Sequence, residues 1–354
     1  MSFVAAPPAL WPRLGRAALV SLGIALVLAL ALLAGICIGE TAIPPATVLR
    51  TLANKLFGAA YEIDRIDQGI VWNYRLTRAI LAACCGAGLA VSGVVLQALL
   101  RNALADPYLL GISAGASTGA VLVTVVGIGA GAVSLSAGAL AGALTAFLLV
   151  AVLARAAGGG AGPRGAGQIV LAGIAGSQLF NALTAFLITR SASAEQARGI
   201  MFWLLGNLSG VRWDDTARAV PVALAVTLVC LWHARALDAF TFGADSAASL
   251  GVPVRRVQAT LILCAATATA VMVSIVGAIG FVGLVIPHAA RFLVGVRHGR
   301  LLPAAALIGA VFLIAADVLS RTLVPGQVLP IGVITALVGA PVFALILIRA
   351  RAAR

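Results

Sequence analysis

The chain has 354 residues, of which 62% are hydrophobic and only 10% charged, with a net charge of +13 at pH 7. A water-soluble protein of this length needs far more charge to cover its surface, so this composition excludes an ordinary soluble domain. The basic residues fall between apolar runs, which points to membrane topology and away from nucleic acid as a partner.

Apolar runs of about 20 residues recur along the chain, each long enough to cross a hydrocarbon core of about 30 Å. They are rich in Ala, Leu and Gly and do not alternate, so they read as helices, not barrel strands. In chain order they predict spans at 17–38, 79–100, 110–128, 133–154, 168–189, 216–234, 257–276, 278–295, 301–320 and 329–349. The first follows Arg13 and Arg16 like a signal peptide, but it is too long for one and further spans follow. The expected architecture is therefore one all-α membrane domain, residues 1–354, of about ten transmembrane helices.

Ten spans place both termini on one face. That face holds 14 Arg and three acids, Asp106, Asp238 and Asp245; the other holds ten basic and seven acidic residues. The positive-inside rule assigns the first face to the cytoplasm. The stretch 39–74, with Pro44 and Pro45, is then external, as is the aromatic-rich segment 202–213. The stretch 156–167 reads as a flexible cytoplasmic linker. Gly clusters at 86, 88 and 93, at 111, 115 and 119, and at 277, 280 and 283 predict close helix packing or broken helices lining a path.

Several chemistries find no support. A P-loop needs Gly immediately before its Lys, and the only lysine, Lys55, follows Asn54. No HExxH motif occurs, and no catalytic residues are expected. Cys37, Cys84, Cys85, Cys230 and Cys264 form no CxxC pair and read as small buried residues. His288 has no second ligand type beside it and reads as packing or capping; His233 and His298 read as topology residues. No metal site or cofactor is expected. Only Asp317 is an acid well inside a span, which is thin support for an ion-coupled carrier.

Two segments carry a specific pattern. One is NYRLTRAI (73–80) followed by GAGLAVSGVVLQALLRNALADPYLLGISAGAS (86–117). The other is VGAIGFVGLVIPHAARFLVGVRHGRLLPAAALIGAVFLIAADVLSR (276–321) with LPIGVITALVGAPVF (329–343). With MFWLLGNLSG (201–210) and FGADSAASLGVPVRRVQ (242–258), the chain resembles the permease family of ABC importers for iron–siderophores, haem and cobalamin, the type II importers. It departs from the family pattern at Thr77, at Ala103 and at Val328, where a Pro, a Pro and a Glu are usual.

The resemblance implies a type II importer permease fold and a homodimer in the bacterial cytoplasmic (inner) membrane. Two cytoplasmic ATP-binding subunits and a periplasmic substrate-binding protein would complete it. It also implies roles. Arg75, Arg78 and Arg321 would grip acids of the binding protein; the residue-level alternative is arginines snorkelling to the interface. Asp317, four residues before Arg321, would orient it. Residues 242–258 would couple to the ATPase through Asp245, Ser246, Leu250, Gly251, Arg255 and Arg256, or lie against lipid head groups. Asp245 or Ser246 is expected to cap a short helix there, Gly251 to end it and Pro253 to start another. Asn102 and Leu104 would form one inner gate, and Gly165 and Ala166 a second. The cargo is expected to be haem or a ferric siderophore, with cobalamin the alternative, and the few polar groups expected on the path beyond Asn102 incline it toward haem.

Overall fold

Ala- and Leu-rich runs without helix-breaking clusters fold into helices, because lipid offers no partner for an unpaired peptide group. The computed structural model describes residues 11–41, 43–129, 131–159, 163–191 and 193–352. They form α1 (Trp11–Cys37), α2 (Pro45–Phe57), α3 (Arg65–Gly69), α4 (Thr77–Leu99), α5 (Ile112–Thr124), α6 (Leu135–Ala156), α7 (Pro163–Ser191) and α8 (Ala194–Leu204). Then follow α9 (Trp213–Trp232), α10 (Ala234–Phe240), α11 (Ala244–Ser249), α12 (Val254–Val276), α13 (Val282–Val294), α14 (His298–Thr322) and α15 (Ile331–Ala352). Among the described residues there is no β-strand, only an isolated bridge between Val324 and Gln327. Among the described residues, six helices are long and apolar enough to cross a membrane, and four shorter apolar stretches lie in α1, α5, α13 and α15. Together they fall on the ten segments expected from the sequence.

The fold is all-helical and centred on α4, whose most apolar window is 83% buried against 22% for α7. Glycine makes that centrality possible. A Cβ on Gly93 would lie 1.9 Å from the carbonyl oxygen of Gly283 on α13, and one on Gly86 would lie 2.0 Å from that of Gly309 on α14. The helices touch backbone to backbone, as small residues permit in membranes.

Four local expectations need correction. α4 does not begin near residue 79: α3, a π-helical stretch Ile70–Leu76 and α4 run on as one helix from Arg65 to Leu99. Its true start is capped by Asp64, whose carboxylate accepts from the Ile66 N–H at 3.1 Å. α7 already begins at Pro163, so Gly165 and Ala166 lie in its first turn and not in a linker; residues 160–162 fall outside the described residues. Asp245 and Ser246 do not cap α11. Gly243 takes the N-cap at φ 108°, and the Ser246 hydroxyl turns back to the Phe242 carbonyl. Gly251 does end α11, at φ 81°, with its own N–H on Ala248 and that of Val252 on Ala247, the Schellman arrangement. Pro253 precedes the long α12, so no second short helix follows.

Replacing Gly93 by Ala is expected to lower stability by about 1–3 kcal/mol, because the new methyl meets rigid backbone. Gly88→Ala on the same helix, whose Cβ would sit 3.7 Å from the Met272 methyl, should stay within about 1 kcal/mol of the parent. Thermal unfolding of the purified protein in detergent compares the two.

Candidate functional site

The Arg75, Arg78 and Arg321 side chains meet at one end of the bundle. They line a single cavity of about 340 Å³ together with Glu40, Thr41, Tyr74 and Ser209. Each guanidinium is already engaged. Arg75 is 6% exposed and donates through Nη1 to the carbonyls of Ile36 and Cys37, both at 3.0 Å. Its Nη2 donates to the carbonyl and, at 3.0 Å, the hydroxyl of Thr41. Arg321 donates to the Gly35 carbonyl at 3.0 Å and pairs with Asp317 Oδ2 at 3.0 Å. Arg78 Nε reaches Asp317 Oδ1 at 2.6 Å, and its Nη1 donates to the Ser209 hydroxyl at 3.2 Å.

Two physical reasons hold this cluster together. The last carbonyls of α1 have no partner within their helix, and the helix dipole places partial negative charge there. Arg75 and Arg321 supply donors and positive charge at that end. Asp317, with its side chain only 2% exposed, then neutralises the Arg78 and Arg321 side of the cluster. Asp317 therefore does more than orient Arg321, since it bridges two helices. No helix-dipole penalty acts on Arg75, because the helix starts ten residues earlier at Arg65 and the effect fades within the first turn. The Arg321–Asp317 spacing is legible in sequence; Arg78, 239 residues from Asp317, gives no such signal.

The other proposed-site residues lie toward the opposite end. Arg101, which adopts φ 48°, lines a cavity of about 410 Å³ with Ala166, Gly243, Asp245 and Ser246. Leu250 and Gly251 face a different cavity, beside Trp232 and Val257. Arg255 lines a third. Arg256 is exposed and lines none of these cavities. The Asn102 carboxamide accepts from the Leu104 N–H at 2.9 Å and shapes the turn, leaving Leu104 51% exposed. Asn102 and Leu104 are not among the residues lining the Ala166 cavity. His298 is no mere topology residue: it is buried, and its Nδ1 lies 2.7 Å from Asp238, tying α14 to α10.

Sequence reasoning missed Tyr108. It sits in a 3-10 turn, Pro107–Leu110, whose N-cap is Asp106. Burial raises the Asp106 carboxyl to about 6, and the Tyr108 N–H it accepts works against that rise. The Tyr108 hydroxyl donates to the Ile279 carbonyl at 3.0 Å and accepts from the Ile279 N–H at 2.7 Å. Ile279 lies in the non-helical break between α12 and α13, where Phe281 adopts φ 69°. Gln97 adds a second tie, since its amide nitrogen lies 3.3 Å from both the Ala105 and Gly283 carbonyls. The turn after α4 is thereby clamped to the broken helix.

Comparison with known proteins places this architecture. The model of the FecCD transport family matches residues 26–349. The chain belongs to the FecCD transport family. It is 41% identical over 314 residues to a cobalamin import system permease protein of Halobacterium salinarum, covering 88% of this chain and 80% of the relative. It is 37% identical over 289 residues to a hemin transport system permease protein of Yersinia pestis, covering 80% and 85%. A solved metal-chelate type ABC transporter in an inward-facing conformation superposes with a TM-score of 0.79 at 29% identity, covering 93% of this chain and 98% of that one. This FecCD member is thus an ABC transporter permease with the type II importer fold.

Asp317→Asn removes the charge that holds two guanidiniums and is expected to lower stability by about 3–5 kcal/mol. Ser320→Ala, 3.5 Å from Arg78, should lose about 1 kcal/mol or less. Tyr108→Phe strands both polar groups of Ile279 and should lose about 1–3 kcal/mol. Unfolding in detergent, followed by tryptophan fluorescence, measures all three.

Proposed function

We propose that this FecCD permease works as a homodimer in the bacterial inner membrane and imports a large metal chelate at the expense of ATP hydrolysed by two separate cytoplasmic subunits. The observation that carries the reading is the convergence of Arg75, Arg78 and Arg321 on one cavity at one end of the bundle. In this orientation that end is periplasmic and both termini are cytoplasmic, in accord with the excess of Arg on the termini's face. The mouth offers positive charge to acidic side chains of a substrate-binding protein, so docking is steered by charge and weakened by salt.

At the cytoplasmic end, α11 and the first turn of α12 form the contact with the ATPase, with Asp245, Ser246, Leu250, Gly251 and Arg256 on that surface, while Arg255 of the expected set lines the groove beside α6. Its rigidity is supported by the Schellman turn at Gly251. Asn102 and Leu104 act as one inner gate, and Gly165 and Ala166 as the other. α7, whose first turn carries the second gate, is the least buried of the six long spans, its most apolar window being 22% buried. An ion-coupled carrier fits less well: Asp317, the one acid deep in a span, is held between two guanidiniums and is not free to relay protons.

Cobalamin, haem and ferric siderophores form the cargo class. The relatives named for cobalamin and hemin lie at similar identities, so the class is carried by similarity and its member is assigned by transport. Proteoliposomes holding this chain and its ATPase would be given the binding protein loaded with each chelate in turn. Uptake of one chelate that requires ATP at the ATPase face is the expected outcome. ATP hydrolysis by the intact complex without uptake of any chelate would overturn the cargo class, and uptake driven by an ion gradient without ATP would overturn the importer reading.

A further inference from the structure

A groove of about 790 Å³ lies between α6, α7 and α12, outside the arginine mouth and adjoining the cavity that Ala166 shares with α11 at Gln258, which lines both. Its polarity is graded. Arg155, Arg255 and Gln258 stand at one end, while Phe147, Val150 and Ile262 wall the other. From Phe147 to Arg155 is eight residues of helix, a rise of about 12 Å. No acidic residue lines the groove, and the first turn of α12 contains none. Among the described residues, neither arginine forms an ion pair with a carboxylate. Two exposed arginines thus line the polar end of an apolar slot.

We propose that this groove holds one anionic glycerophospholipid from the bilayer leaflet at the Arg155 end, its phosphate between Arg155 and Arg255 and an acyl chain along Phe147, Val150 and Ile262. A phosphate offers both guanidiniums charge-assisted, bidentate hydrogen bonds. Basic pockets between transmembrane helices select anionic head groups in this way. A free phosphate ion would fill only the polar end and leave the apolar slot wet. A phosphatidylcholine would bring its quaternary ammonium group toward two arginines. The bound lipid joins the C-terminal end of α6 to the N-terminal end of α12, directly after α11, so it braces the helix on which the cytoplasmic loop is mounted.

The test uses the purified full-length chain, delipidated in detergent and incubated with phosphatidylglycerol or phosphatidylcholine of identical acyl chains, then examined by native mass spectrometry. A one-to-one phosphatidylglycerol adduct is expected, retained at least about tenfold better than phosphatidylcholine, as a difference of about 1.4 kcal/mol would produce. Arg155→Gln with Arg255→Gln should bring it down to the phosphatidylcholine level. Arg297→Gln with Arg300→Gln, at the same end of the bundle on exposed positions, should leave it unchanged. Ala151→Trp, which fills the groove wall with both arginines intact, should also abolish the adduct and decides the matter if the double arginine variant does not fold. Equal loss from the two arginine pairs would mean general attraction to basic residues and would overturn the site. An adduct that survives Ala151→Trp, or is displaced by glycerol 3-phosphate, would overturn the lipid assignment.

Discussion

A peptide group that leaves a helix inside the bilayer finds no water, so it needs a partner from the protein or carries a penalty of several kcal/mol. Much of this structure follows from how two such places are closed. At the end of α1, the carbonyls of Gly35, Ile36 and Cys37 are met by Arg321 and Arg75. At the break between α12 and α13, the Tyr108 hydroxyl satisfies both polar groups of Ile279, while the Asn207 N–H reaches the Val276 carbonyl at 2.8 Å. Each closure draws on a distant part of the chain, so the helix ends themselves fix how the bundle is assembled.

The choice of arginine has the same origin. Its planar fork carries five donors in fixed directions, whereas a lysine ammonium is a strongly hydrated point charge on a flexible stem. Arg75 alone meets three carbonyls and a hydroxyl. Lysine is confined to Lys55 in the surface helix α2. Three cations gathered at one buried mouth would repel one another without help. Asp317 and the dipole of α1 supply it, and the resulting cluster is held by the chain's own groups.

The ten apolar segments were legible because lipid imposes a length and a composition that no loop satisfies. The boundaries were not. Arg65, Asp67, Gln68 and Asn73 interrupt the apolar pattern upstream of α4 and read as loop, though Asp64 was an available N-cap signal. The helix α8 went unread in the sequence, although Ser193-x-x-Gln196 has the spacing of a capping box, which forms with 3.2 and 2.9 Å bonds. At α11 the reverse occurred. Asp245 and Ser246 have the chemistry of caps, but Gly243 at φ 108° sets the chain direction two and three residues before them and leaves both inside the helix. Within the mouth, spacing exposed the Asp317–Arg321 pair, while the bonds from Arg78 and Arg75 cross 239 and 38–39 residues and leave no local pattern.

The ties on α1 bear on how the protein is made. The bond from Arg321 to the Gly35 carbonyl spans 286 residues. During synthesis α1 emerges long before α14, yet its final turn is completed by α14. Until α14 arrives, Arg75 alone holds that end, with no Asp317 to balance Arg78 beside it. The end of α1 is therefore locked only after 286 further residues have been made, and the nascent chain carries an incompletely closed helix end through the insertion of all the helices between.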